Sequence, residues 1–199
     1  PSEVLILADS SASPAFLAAD MLSQLEHDVE SRALLVSPEP KLLEKTKKEL
    51  AQQMKRLKRQ KQLKASTKEG AWFVEVPSLE EGVRFANRFA PEHCELMVKK
   101  PELWAKEIHH AGALFLGDYS PVAVGDFVAG PSHVLPTGGL ARFSSGLSLD
   151  DFVKKTTLIS FEREALWECQ EAIRELAQVE GLDAHAQSLN IRFQKGEKK

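Results

Sequence analysis

The groups best suited to chemistry are six histidines, His27, His93, His109, His110, His133 and His185, and the carboxylates placed near them. An imidazole can hold a metal or move a proton near neutral pH. Gln24 and His27 stand three apart in a segment of helical character, so both project to one side. Such a pair could share a metal ion, but glutamine is an uncommon zinc ligand, and an exposed polar pair is the simpler reading of those two residues alone. Glu92 and His93 follow Ala90-Pro91, and a carboxylate beside an imidazole at the mouth of a parallel sheet could do acid–base work. Neighbours in an extended segment point to opposite faces, so an incidental turn explains them equally well.

The densest constellation runs from Gly125 to Thr137. Its glycines let the backbone turn tightly, its prolines fix φ, and Asp126 and His133 offer an oxygen and a nitrogen ligand. Glu180 and His185 lie to either side of Gly181, which could end a helix; alone, they read as surface residues. His109-His110 closes a predicted helix, where a cation complements the dipole, and is read as structural. There is no dinucleotide-binding glycine fingerprint, no phosphate-binding loop and no nucleophile elbow. Spacing by itself yields a possible N/O metal site and a possible acid–base pair, but no reaction.

The elements that must position these residues alternate. Val4 to Ala8 is an apolar run of the kind covered on both faces, entered directly from Pro1-Ser2-Glu3 as if cut from a longer chain. A helix follows from Ala15 to His27 with Phe16, Ala19, Leu22 and Leu25 as its apolar face, then a strand over Ala33 to Val36. Further expected elements are a polar helix from Leu42 to Leu63, strands over Trp72–Val76, Glu95–Val98 and Ala113–Leu116, and helices opening at Ser78 and spanning Pro101 to His110. The pattern is α/β with a parallel sheet, and the stretch from Pro121 to Ser148 is irregular and long enough to be functional. Beyond it the residues form a small, mainly helical C-terminal tail.

The chain has 199 residues, 43% hydrophobic and 28% charged, with a net charge of −3, as in ordinary globular proteins. That balance gives no reason to expect nucleic acid or an anionic membrane as partner. The basic run from Lys55 to Lys64 is accounted for by a solvated helix face. Two cysteines, Cys94 and Cys169, are too few for a disulfide framework, and a cytoplasmic setting is the default expectation. No apolar run is long enough to span a bilayer.

Several runs, in order along the chain, resemble histidinol dehydrogenase: residues 1–5, Leu22-Ser23-Gln24 with His27, Ala90 to His93, His110 to Ala113, Gly125 to Thr137, Ala141 to Ser145, and Ala184-His185-Ala186. The run ending in Gly130-Pro131-Ser132-His133-Val134-Leu135-Pro136-Thr137 is the most specific. The resemblance implies oxidation of L-histidinol to L-histidine through an aldehyde, in the last steps of histidine biosynthesis, with two NAD molecules and one zinc ion (Zn2+) per site. It implies zinc held by Gln24, His27, Asp126 and His185. Substrate contacts would come from Ser2, Gln24, His27, His93, Asp126, His133, Glu180 and His185. His93 would take the hydroxyl proton, and Glu92 would activate the water that hydrates the aldehyde.

The implied fold is an incomplete Rossmann-like parallel sheet flanked by helices. Residues 1–146 would be the second half of the zinc- and substrate-binding domain. Residues 147–199 would be a tail domain exchanged across a homodimer, so that Glu180 and His185 complete the neighbour's site. The NAD-contacting domain would lie outside this chain, leaving these residues inactive by themselves. Cys94, Phe127 and Ser132 stand where the family usually has Leu, Tyr and Asn, and none of them removes a proposed ligand. A related zinc dehydrogenase acting on another small amino- or poly-alcohol, or a non-catalytic zinc-binding fragment, remains open.

Overall fold

A computed structural model describes residues 2–193. Five strands, β1 (Glu3–Ala8), β2 (Arg32–Ser37), β3 (Ala71–Glu75), β4 (His93–Met97) and β5 (Ala113–Leu116), form one sheet in the order β3-β2-β1-β4-β5. All four pairings are parallel, as the buried apolar runs lead one to expect. Between them run α1 (Pro14–Leu25), α2 (Pro40–Met54), α3 (Gln60–Gly70), α4 (Leu79–Phe89) and α5 (Pro101–Ala105), and α6 (Val122–Phe127) follows β5. The sheet is covered on both faces. Val4, Ile6, Ala8, Ala33 and Leu35 face α1, α2 and α3, while Leu5, Leu7, Leu34 and Val36 face Val83 and Ala86 of α4.

Four local details differ from the sequence expectation, the first being that the stretch expected to be irregular from Pro121 opens with α6. The buried face of α1 is Leu17, Ala18, Met21, Leu22 and Leu25, and Phe16 is exposed. The denser apolar set decides the rotation of the helix, and it also carries Gln24 inward. The expected helix from Leu42 to Leu63 is two helices, broken at residues 55–59 by tight turns in which Arg56 and Leu57 donate to the carbonyls of Gln53 and Met54. Like charges at helical spacing (Lys55, Arg56, Lys58, Arg59) oppose continuation there. The helix opening at Pro101 stops at Ala105, because the Asn87 side chain accepts the amides of His109 (2.7 Å) and His110 (3.2 Å) and offers that backbone an alternative to helix.

The chain divides into two compact units, Pro1–Phe152 and Val153–Lys199. The second holds α7 (Arg163–Glu168), α8 (Gln170–Val179) and α9 (Asp183–Phe193). Trp167 meets Phe193 edge-on at 5.0 Å, and Arg174 donates to Asn190 Oδ1 at 2.9 Å. Among the described apolar side chains of this unit, Ala177 and Leu189 are buried, whereas Leu158 is 93% and Val179 84% exposed.

The cysteines differ in reactivity. Cys94 is fully buried on β4, and burial followed by the neighbouring Glu95 charge pushes its thiol up to about 12. Cys169 is exposed. Iodoacetamide at pH 8 is therefore expected to label Cys169 and spare Cys94 in the native protein, with both labelled in denaturant; peptide mass mapping reads the outcome directly.

Candidate functional site

In an open parallel sheet, ligands usually bind beyond the carboxyl ends of the strands where the strand order reverses, which here is between β1 and β4. The chain ties itself together at that place. Asp9 Oδ1 accepts the amide (2.9 Å) and hydroxyl (2.5 Å) of Ser11, and Oδ2 accepts the Lys99 amide (2.9 Å). Glu92 and His93 lie at the other end: His93 is the first residue of β4, in register with Val4 and Ala113. The sheet mouth that bears the candidate chemistry is thus its amino-terminal edge.

A tight reversal delivers the pair. Ser78 caps α4 by accepting the Glu81 amide, as its sequence pattern suggests, and the helix ends on buried Ala90 in the left-handed region (φ 54°). Pro91 follows, then Glu92 and His93, 8% and 5% exposed. Because Glu92 precedes the strand, strict alternation does not bind it, and both side chains reach the first residue of β1. The Glu3 amide donates to Glu92 Oε2 at 2.9 Å, and His93 Nδ1 lies 2.9 Å from the Glu3 carbonyl and 3.4 Å from Glu92 Oε2. A carbonyl only accepts, so the hydrogen-bond network assigns the proton to Nδ1 and leaves Nε2 with a free lone pair in the neutral ring. Burial pulls the His93 pKa down. The Glu92 carboxylate, the Glu3 carbonyl and Asp126 outweigh it, and the net shift is upward.

His93, Asp126 and His133 line one cavity of about 350 Å³ together with Phe115, Ser120 and Leu135, a volume suited to a small molecule. The His133-bearing loop is fastened at several points. Gly138 donates its amide to Glu3 Oε1 at 2.6 Å, and Leu147 to the Val134 carbonyl at 2.9 Å. The Arg142 guanidinium donates to the carbonyls of Arg88 and Gly139. Residue 112 must be glycine: a Cβ there would lie 2.6 Å from the Glu92 carbonyl oxygen and 3.2 Å from Pro136. The sequence alone does not mark Glu3 or Arg142 as functional. For Glu3 the available signal was a carboxylate heading an otherwise apolar, doubly covered strand.

The candidate metal ligands fall on two segments of the first unit. Gln24 is 1% exposed, and its Oε1 is buried with no hydrogen-bond partner. Such an orphaned acceptor calls for a ligand, and a cation meets its chemistry. His27 stands exposed in the turn after α1, which ends at Leu25, and lines a second cavity of about 410 Å³ with Asp126, Arg59 and Phe127. Asp126 borders both cavities. Among the described residues, no three or more His, Cys, Asp or Glu side chains converge as a metal cluster. The first unit thus offers His27 and Asp126 with the Gln24 amide. Ser2 is half-buried and accepts the Arg32 amide through its carbonyl. Glu180 caps the carboxyl end of α8 and His185 sits on α9, both exposed on the second unit.

One further carboxylate lies beneath these segments. Glu95 is 1% exposed, accepts the Val122 amide at the head of α6 through Oε1 (3.0 Å), and has a partnerless Oε2. Burial, then repulsion from Asp20, drive its pKa well above the usual range, and burial lifts Asp20 to about 6. A carboxyl group whose folded pKa is raised binds its proton more tightly folded than unfolded. Its stabilising contribution is therefore full below the unfolded carboxylate range and is lost as pH rises through the folded value. Glu95→Gln keeps an acceptor for Val122 and removes the charge. It is expected to stabilise the fold by about 1–3 kcal/mol at pH 8, with the gain vanishing near pH 4. Denaturant melts at the two pH values test this.

A family model described as histidinol dehydrogenase matches residues 1–193. Histidinol dehydrogenase of Halalkalibacterium halodurans is 48% identical over 98% of this chain and 46% of its own length. That of Heliobacterium mobile is 45% identical over 98% of this chain and 46% of its own. The crystal structure of histidinol dehydrogenase from Elizabethkingia anophelis superposes with a TM-score of 0.91 at 36% identity, covering 96% of this chain and 44% of that one. The chain spans less than half the length of these relatives.

Proposed function

The chain belongs to the histidinol dehydrogenase family, and from that premise we propose that it forms the zinc- and substrate-binding part of an enzyme that oxidises L-histidinol to L-histidine through the aldehyde. The observation that carries the reading is the Glu92–His93 pair, held by the Glu3 backbone at a cavity shared with Asp126 and His133. His93, with its Nε2 lone pair, accepts the hydroxyl proton as the alcohol carbon is oxidised. Glu92, whose Oε2 is already engaged by the Glu3 amide, takes a proton from the water that hydrates the aldehyde. Burial of both residues keeps bulk water from competing for those protons.

Gln24, His27, Asp126 and a tail residue, His185, would hold the zinc. When bound, it supplies a Lewis-acid template for the imidazole and amino nitrogens of the substrate. Two NAD molecules per histidinol would accept the hydrides, with their contacts mostly outside these residues. The reading includes a cytoplasmic homodimer in which residues 147–199 exchange between subunits and bring Glu180 and His185 to the neighbour's site. The exposure of Leu158 and Val179 in the second unit supports such an exchange, since apolar groups left uncovered favour a second surface. No described helix is long and apolar enough to cross a membrane.

The test is NADH formation by the intact protein supplied with zinc. L-histidinol should yield two NADH per molecule oxidised and be preferred over other amino alcohols and polyols. Preference for another alcohol would assign the site to a different substrate.

A further inference from the structure

We propose that Glu3 is a positioning residue for this site: its side chain latches the His133-bearing loop at Gly138 onto the same strand residue whose backbone aims Glu92 and His93. The three contacts converge on one residue. The Glu3 amide holds the Glu92 carboxylate at 2.9 Å, its carbonyl holds His93 Nδ1 at 2.9 Å, and its carboxylate holds the Gly138 amide at 2.6 Å. The side chain is 3% exposed and heads a strand whose other residues are all apolar. Burying a carboxylate is costly unless it is hydrogen-bonded, so a buried glutamate at this position calls for a specific partner, and the loop amide is that partner.

The geometry of the loop explains why a latch is placed there. Between Val128 and Gly139 the described chain has no helix or strand, and Gly130, Gly138 and Gly139 all adopt positive φ. His133 itself is exposed, and Gly138 has open space around the position a Cβ would take. At Gly138 itself the contact is therefore the hydrogen bond to Glu3, and packing acts two and three residues earlier. Pro136 and Leu135, which pack at Gly112, bring the same stretch close to the Glu92 carbonyl. Ser2, a proposed substrate contact, directly precedes Glu3.

The inference rests on the proposed function only where substrate is used, and two variants of the intact protein test it. Glu3→Gln keeps the length and an acceptor oxygen. Glu3→Asp keeps the charge but withdraws the oxygen by one methylene. Backbone amide exchange followed by mass spectrometry should show Gly138 and its neighbours exchanging about 10- to 100-fold faster in Glu3→Asp, the worth of a charge-assisted hydrogen bond. In Glu3→Gln, which loses the charge but keeps an acceptor, the same amides should speed up by only about two- to fivefold. In steady-state kinetics Glu3→Asp should raise KM for L-histidinol about tenfold or more with its pH profile unmoved, because the carbonyl that orients His93 is retained in every variant. Unchanged exchange at Gly138 in Glu3→Asp, or Glu3→Gln as loose as Glu3→Asp, would overturn the latch. A loosened loop with KM unchanged would overturn its positioning role. The exchange arm holds whatever alcohol the protein oxidises, so failure of the latch and failure of the histidinol reading give different results.

Discussion

His93→Asn is expected to lower turnover of L-histidinol by about 10²–10⁴-fold, the usual worth of a positioned general base, while leaving zinc content unchanged. The expectation rests on the two sides of the ring. Nδ1 is occupied by the Glu3 carbonyl at 2.9 Å, so the asparagine amide can replace that hydrogen bond but offers no basic nitrogen in place of Nε2. A loss of metal with the substitution would move His93 from proton transfer to ligation.

The same residue sets a pH dependence. Glu92, the Glu3 carbonyl and Asp126 overcome burial to raise the His93 pKa, so proton acceptance requires a pH above that raised value, and turnover should climb as pH rises through it. Stability runs the other way. An imidazolium favoured by the fold contributes fully below the unfolded histidine pKa, and that contribution is lost as pH rises through the folded one. The asparagine variant should lose both slopes. Glu92→Gln is the companion variant. It keeps an acceptor for the Glu3 amide but not the base for water, so the first oxidation should survive better than the second, and aldehyde trapping would detect the difference.

The second large effect concerns the tail. His27→Ala and His185→Ala should each abolish activity and lower zinc content if both are ligands. Within the first unit, His27 and Asp126 border one cavity and Gln24 presents an unpaired buried oxygen, a set one ligand short of four. If His185 serves the neighbouring subunit, a mixed dimer of the two inactive variants contains one doubly damaged site and one intact site. Random reassortment should then restore about a quarter of the unsubstituted activity, by two-fold symmetry. Exchange-free mixtures should stay inactive. No recovery after verified subunit exchange would place His185 in its own subunit's site or outside any site, and zinc content of the single variant would separate those two outcomes.

Much of this fold is legible in the sequence. Apolar runs at Val4–Ala8 and Ala33–Val36, separated by a helix, suit a parallel sheet covered on both faces, and the sheet is there. Ser78 and Glu81 mark the start of α4, and Pro91 marks where the chain must leave it. These are local signals, in which a residue's own backbone preference or the period of burial decides the outcome. Likeness to a family also proposes Gln24, His27, Glu92, His93, Asp126 and His133 as a group, which spacing does not.

Tertiary structure alone decided where those side chains lie. Gln24 and His27 read most simply as an exposed polar pair, yet the rotation of α1 chosen by Leu17, Met21 and Leu25 buries one of them and the end of the helix exposes the other. Glu92 and His93 should point apart, yet a left-handed turn at Ala90 keeps Glu92 off the strand and lets both reach Glu3, 89 and 90 residues away in sequence. The end of the sheet that carries the candidate site, the amino-terminal one, follows from register, which makes His93 the first residue of β4 opposite Val4. Period and composition report which face of an element is buried. They carry no information on which atom of a distant strand will supply a hydrogen bond, and that pairing sets the His93 tautomer and the latch on the loop.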